Sequence, residues 1–175
     1  AYRADLELSL AGIAANARIF EPGCGTGVFT HLLHSMGLHV IGIDKNETEL
    51  AKAQQRLPDL RFQLGDIESA AAIDTIQTRY GQSDLAICRY VIHELSDPIE
   101  TFTLRRQLLK PDGRLVLIET AWNRSDWGEG DWGKRSDDLP LACTQTWATA
   151  AYCLKKAGYL RVEAQWMQQV NQLND

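Results

Sequence analysis

The stretch that decides the fold is Arg18-Ile-Phe-Glu-Pro-Gly-Cys-Gly-Thr-Gly-Val-Phe-Thr30. Arg18 to Glu21 reads as a short apolar strand. Gly23, Gly25 and Gly27 follow at alternate positions, and then Phe29, Leu32, Leu33 and Met36 recur at i, i+3, i+4 and i+7, the stripe of a helix. Glycines let the backbone turn sharply and approach a ligand with no Cβ in the way. The amides opening the helix point at whatever is bound there. Strand, glycine loop and helix in this order make a cofactor loop.

Outward from the loop, strand and helix patterns alternate. Leu6, Leu10 and Ile13 sit at helical spacing and predict an amphipathic helix over 4–15. Downstream, Gly37 closes the first core helix, and Leu38 to Ile43 is an apolar run ending in Asp44, the second strand. Asn46 is placed to cap the next helix, with Glu49 three residues on; Leu50, Ala53 and Leu57 are its buried face and Pro58 stops it. Leu60 to Leu64 predicts a third strand ending at Gly65-Asp66, and Ile73, Ile76 and Tyr80 mark a helix closed by Gly81. Leu85 to Tyr90 is a fourth strand. Asp97-Pro98 opens a helix to about Lys110, Pro111-Asp112-Gly113 is a turn, and Leu115 to Ile118 is a fifth strand. Repeated β-α units predict a parallel sheet covered by helices on both faces.

After Glu119 the rhythm breaks. Residues 120–138 are rich in Trp, Gly and charge; Trp147, Ala150, Ala151 and Leu154 then resume helical spacing, and Leu160 to Met167 reads as a sixth strand. The expected organisation is one domain over 1–175: an N-terminal helix (1–16), a cofactor-binding core (17–119), a substrate-side loop (120–140) and a C-terminal helix and strand (141–175).

The chain has 175 residues, enough for one domain with a real core. A net charge of −5 gives no general attraction to phosphate backbones, so nucleic acid is not the expected partner. No apolar run approaches the roughly 20 residues needed to cross a bilayer, so neither a membrane span nor a signal peptide is expected. Cys24, Cys88, Cys143 and Cys153 show no CxxC pairing and no clustering with histidine, and read as reduced thiols in a cytoplasmic protein. Cys24 stands apart because it lies inside the glycine loop.

Two cofactor families use such a loop. The dinucleotide fingerprint wants G-x-G-x-x-G; here Val28 occupies the third-glycine position and Gly27 comes one residue early. The form Glu21-Pro-Gly-Cys-Gly-Thr-Gly27 resembles instead the first motif of class I S-adenosylmethionine-dependent methyltransferases, near the quinone, sterol and natural-product enzymes. The resemblance continues in order through Asp44, Gly65-Asp66-Ile67, Ser83 to Leu95, and Leu108 to Ile118. It implies a three-layer, doubly wound, mostly parallel α/β sheet of Rossmann-like form, with the last antiparallel strand short, missing or truncated. It implies S-adenosylmethionine as donor and a small organic molecule as methyl acceptor.

Residue by residue, the likeness implies Glu21 near the methionine ammonium, with Gly23, Cys24, Gly25, Gly27 and Arg89 about the methionine part. Asp44, beside Lys45, would meet the ribose hydroxyls; Asp66 would meet the adenine amino group, with Ile67 packed near the ring. Acids at Glu21, Asp44 and Asp66 suit a cationic nucleoside better than a phosphate. Taken singly, Asp44 and Asp66 also read as turn or capping acids. Asp84, at a strand start, reads as structural. His93 and Glu94 are the candidates for a base, or else polar residues at a helix start. Trp122, Trp127 and Trp132 form a substrate wall or anchor a surface loop. Asp126, Glu129 and Asp131 lack calcium-loop spacing, so no metal is expected. The brief ends leave a site that is open, completed by a partner chain such as a second copy in a homodimer, or lacking residues of a longer protein. The leading expectation is methyl transfer to a small acceptor. A methyltransferase-like binding or regulatory subunit is the second, and a nicotinamide oxidoreductase, resting on topology alone, the third.

Overall fold

A computed structural model describes residues 2–119, 139–141 and 146–167. Its centre is a parallel five-stranded sheet in the order β3-β2-β1-β4-β5. The strands are β1 (Arg18–Pro22), β2 (His39–Asp44), β3 (Arg61–Leu64), β4 (Ser83–Arg89) and β5 (Leu109–Ile118). The helices are α1 (Tyr2–Ser9), α2 (Val28–Ser35), α3 (Glu47–Arg56), α4 (Ala70–Tyr80), α5 (Pro98–Gln107) and α6 (Trp147–Lys156). The order reverses at β1, whose two neighbours, β2 and β4, lead outward to opposite edges. In open α/β sheets, ligands bind outside the carboxyl ends of the strands at such a point.

Successive strand residues point to opposite faces, and two cores form accordingly. Phe20, Ile41, Ile43 and Cys88 face Ile73 and Ile76 of α4, Phe102 of α5 and Cys153 of α6. Ile19, Val40, Leu85, Ile87 and Ile118 face Leu6 of α1 and Phe29 and Leu33 of α2. Each fully buried large apolar side chain contributes about 1.5–3 kcal/mol, so both faces add to stability, and the interiors of β2 (Val40–Ile43) and β4 (Leu85–Cys88) read as unbroken apolar runs. Asn46 caps α3, its Oδ1 accepting from Thr48 N at 3.0 Å and Glu49 N at 3.2 Å. Glu49 does not complete a capping box; its carboxylate pairs with Lys52. Asp84 is structural: its two oxygens accept from Arg18 N (2.8 Å) and Lys110 Nζ (2.6 Å), tying β4 to the chain entering β1 and to β5. The Lys110 hydrogen bond, followed by that of the Arg18 amide, holds its carboxyl below the usual range.

Three expectations are corrected. The helix over 4–15 ends at Ser9; Ile13 still packs on the core, but from a turn. The Pro111-Asp112-Gly113 turn lies inside β5 as an irregularity, because pairing jumps from Ser83–Leu109 to Leu85–Arg114 and leaves extra residues on β5. Leu160 to Met167 forms no strand: its residues pair with no described strand, and Leu160 and Trp166 are exposed. Alternation of apolar and polar residues is a strand signal only where a neighbour takes up the backbone hydrogen bonds.

Candidate functional site

The carboxyl ends of β1 and β2 are laced together through the glycine loop. Gly23 N and Cys24 N both donate to Ile43 O, at 2.7 and 3.1 Å. The Asp44 carboxylate accepts from Gly25 N through Oδ2 (2.7 Å) and from Asn46 N through Oδ1 (2.8 Å). A carboxylate offers about four lone-pair sites, so the two that remain can accept a pair of ligand hydroxyls. Gly65 N donates to Asp44 O at 2.9 Å, which brings the β3 end to the same place.

Gly23 and Gly27 are required by the backbone, with φ of +78° and +74°. A Cβ at Gly23 would stand 2.5 Å from Val91 Cγ2, and one at Gly27 2.9 Å from the Phe62 ring. Gly23→Ala is therefore expected to cost about 1–2 kcal/mol in backbone conformation alone, before the displacement of Val91 from the loop after β4. A fall in thermal midpoint together with weakened ligand binding would bear this out; an unchanged midpoint would contradict it.

A cleft of about 200 Å³ opens over these ends, and Gly23, Gly25, Asp44, Lys45, Gly65 and Ile67 line it. Glu68, Tyr90, Val91, Glu94 and Leu95 complete its lining. Of the residues expected from sequence, the cleft wall thus collects Gly23, Gly25, Asp44, Lys45, Ile67 and Glu94. Asp66 sits between two lining residues, its Oδ1 accepting from Glu68 N at 3.0 Å. Gly27 lies under Phe62 at the start of α2. Cys24 is buried toward Gly42 of β2, and burial pushes its thiol up, so it is an inert packing group. The Arg89 guanidinium lies 5.4 Å from the Phe29 ring centre and 5.1 Å from that of Tyr90. Trp122, Trp127 and Trp132 lie outside the described residues, as does Cys143.

Glu21, at the end of β1, is buried and its Oε2 has no hydrogen-bond partner among the described residues. Burial pushes its carboxyl up to about 8, against the pull of the Thr30 hydroxyl and the Arg89 guanidinium. An orphaned buried carboxyl beneath a glycine loop has the chemistry to hold a cationic group. His93 is nearly buried and stands behind Glu94 rather than on the cleft wall.

Several residues on or behind the cleft wall have roles that no local pattern assigned. Tyr90 has φ +57°, the one positive value outside glycine among the described residues. Such strain costs on the order of 1–3 kcal/mol and gathers at functional sites. Tyr90 N donates to Ile118 O (3.0 Å), which holds the turn. Glu68 Oε1 accepts from Ser96 N at 2.7 Å, fastening the loop after β4 to the loop after β3. Glu119 Oε1 accepts from Val91 N (2.9 Å) and Ile92 N (3.1 Å). Arg105 is fully buried, its Nη1 donating to Cys88 Sγ at 3.4 Å. No spacing rule marks any of these, because each acts across elements distant in sequence.

A methyltransferase-domain family model matches residues 13–171, nearly the whole chain. The chain belongs to the class I S-adenosylmethionine-dependent methyltransferases. This methyltransferase domain is 31% identical over 108 residues to the ubiquinone biosynthesis O-methyltransferase of Aromatoleum aromaticum, covering 60% of this chain and 44% of that one. It is 36% identical over 128 residues to the polyketide synthase-like protein Preu9 of Preussia isomera, covering 65% of this chain and 6% of the other. The domain thus spans less than half the length of these relatives. The crystal structure of an S-adenosylmethionine-dependent methyltransferase from Mesorhizobium loti superposes with a TM-score of 0.66 at 21% identity, over 99% of this chain and 89% of that one. That likeness is one of fold. Among the described residues no helix is long and apolar enough to cross a membrane, and no group of three or more His, Cys, Asp or Glu could hold a metal ion.

Proposed function

We propose that this methyltransferase domain binds S-adenosylmethionine in the cleft over β1, β2 and β4 and moves its methyl group to a small organic acceptor. The observation that carries the reading is the Asp44 carboxylate, fixed by Gly25 N and Asn46 N with two lone pairs left to accept a vicinal diol. When bound, the donor supplies an electrophilic methyl on a sulfonium with a good leaving group. The chain's own residues then bind, orient and exclude water.

Glu21 receives the amino-acid ammonium, directly or through water, and Asp44 receives the ribose hydroxyls. Asp66 and Ile67 take the adenine edge and face, and the amides of the glycine loop approach the methionine part closely because no Cβ intervenes. Lys45, paired with Glu68 at 3.8 Å, closes the ribose side of the cleft. Much of the acceleration in such a displacement comes from holding the acceptor in line. Tyr90, Val91 and Leu95 supply the walls for that on the β4 side, and Glu94 the polar group that meets the acceptor. The acceptor is a small molecule, a reading that the O-methyltransferase relative supports. The acidic charge disfavours nucleic acid.

Titration calorimetry of the purified chain with S-adenosylhomocysteine is the direct test: saturable binding near one equivalent is expected, and no binding would sink the proposal. Methyl incorporation into any small acceptor by the purified chain alone would further exclude a purely regulatory subunit.

A further inference from the structure

Glu119 follows the last residue of β5 and its side chain is only 12% exposed. Its Oε1 accepts both amides that open the 3₁₀ turn Ile92–Glu94. Its other oxygen, Oε2, lies 4.0 Å from His93 Nδ1. On the far side of the imidazole, His93 Nε2 lies 3.9 Å from Glu94 Oε1, and Glu94 lines the cleft. Carboxylate, imidazole and carboxylate therefore form a line running from the floor of β5 to the cleft wall. Both separations exceed a hydrogen bond; catalytic contacts are commonly long before the substrate is in place.

We propose that Glu119 is a positioning residue: its carboxylate fixes the tautomer of His93 so that the Glu94–His93 pair can take a proton from a hydroxylated acceptor. The proposal deepens the methyl-transfer reading, on which it rests for its purpose, by naming the acceptor class as one whose attacking oxygen must lose a proton.

The physical reason lies in what each imidazole nitrogen faces. A neutral imidazole carries one N–H, and the group hydrogen-bonded to one nitrogen decides what the other can do. Both flanking carboxylates are acceptor-only and stand at nearly the same distance. The Glu119 side chain is 12% exposed and that of Glu94 42%, so the buried charge is screened less. Glu119 Oε2 therefore draws the N–H to Nδ1, leaving the lone pair on Nε2, toward Glu94. The acceptor's O–H bond then breaks toward the Glu94 carboxylate, the electron pair stays on the oxygen that attacks, and the proton passes to His93 Nε2. The resulting imidazolium has one N–H facing Glu94 and the other facing Glu119. With a donor group in place of Glu119 Oε2 the N–H would move to Nε2, and the imidazole would present no lone pair to take the proton on from Glu94.

Glu119→Gln separates this role from a structural one. Its amide oxygen can still accept from Val91 N and Ile92 N, so the 3₁₀ turn keeps its anchors, while its NH₂ faces Nδ1. The experiment is two-bond ¹H–¹⁵N correlation on the uniformly ¹⁵N-labelled chain at a pH where histidine is neutral. His93 is assigned among the four histidines by loss of its signals in His93→Gln. The expected wild-type pattern is Nδ1–H, switching to Nε2–H in Glu119→Gln. An Nε2–H pattern in the wild type overturns the proposal, and so does a folded Glu119→Gln that keeps the wild-type pattern. If the variant does not fold, the wild-type spectrum decides alone. A wild type that binds no S-adenosylhomocysteine would overturn the methyl-transfer reading and leave the tautomer result standing, so the two failures are distinct.

Discussion

Asp44→Ala is expected to weaken binding of S-adenosylhomocysteine by roughly 10²- to 10⁴-fold, since it removes two charge-assisted hydrogen bonds worth about 1.5–3 kcal/mol each. The wild-type carboxylate already accepts from Gly25 N and Asn46 N, so it is held in place before the ligand arrives and little rotamer freedom is lost on binding. The substitution also frees the Gly25 amide, loosening the glycine loop against the end of β2. Asp44→Asn is expected to fall between wild type and alanine: its one remaining oxygen can serve one of the two anchoring amides, and its NH₂ turns a donor toward the other. Calorimetric affinities of the three proteins with S-adenosylhomocysteine are the measurement, with circular dichroism to show that each is folded. Equal affinities for wild type and alanine would remove the ribose assignment.

The second large effect is in the pH dependence of stability, and Glu21 carries it. Burial raises its folded pKa to about 8, against an ordinary value of 4.5 in the unfolded chain. Between those values the folded state holds a proton that the unfolded state has lost. The contribution of Glu21 is therefore fully present below about 4.5 and is lost as pH rises towards 8, and it totals about 5 kcal/mol. Glu21→Gln is uncharged at every pH and should lack this slope. The variant and the wild type should unfold at similar temperatures near pH 4.5, and by pH 8.5 the variant should be higher by on the order of 10 °C. Parallel midpoint curves across that range would mean that Glu21 ionises freely in the fold.

The same carboxyl should report on the ligand. A cationic ammonium brought beside it favours the ionised form, so binding near pH 7 should release close to one proton. Calorimetry of S-adenosylhomocysteine binding in two buffers of different ionisation enthalpy measures that number, and Glu21→Gln should bring it towards zero. No release in the wild type would separate Glu21 from the ammonium while leaving the Asp44 prediction untouched.

Most of the fold was legible because its signals are local. Asn46 and Asp97 cap α3 and α5 as their spacing predicts, since a side-chain oxygen reaches an amide two or three residues on whatever the rest of the chain does. Asp84 was readable as structural because its place at a strand start keeps it at the sheet edge opposite the cleft. The sixth strand over 160–167 failed for a non-local reason: no described strand pairs with it, and its alternating pattern has no neighbour to serve. The cleft wall divides along the same line. Gly23, Gly25, Asp44 and Ile67 stand at the carboxyl ends of strands in β-α units, and sequence order alone takes them there.

His93 and Glu94 were named together from sequence, yet the structure separates them, with Glu94 on the wall and His93 behind it. The 3₁₀ turn makes that division by rotating adjacent side chains to different directions. The backbone strain at Tyr90 and the role of Glu119 could not be found by pattern. The strained turn at Tyr90 is held by its amide donating to Ile118 O, and Glu119 reaches Val91 and Ile92 because β5 runs beside β4.

The family was indicated by a resemblance that runs from Glu21–Gly27 through Asp44 and Asp66 to the motifs over 83–95 and 108–118. By itself, the stretch from Arg18 to Thr30 determined a strand, a glycine loop and a helix, with Asp44 and Asp66 following the next two strands. Those are matters of chain geometry, of glycine's freedom at positive φ and of acids at strand ends, all written within a few residues. Only the tertiary structure decided which side chains share the cleft and which carboxylate stands behind His93. Those depend on the register of β4 against β5 and on burial, which residues far apart in sequence fix together.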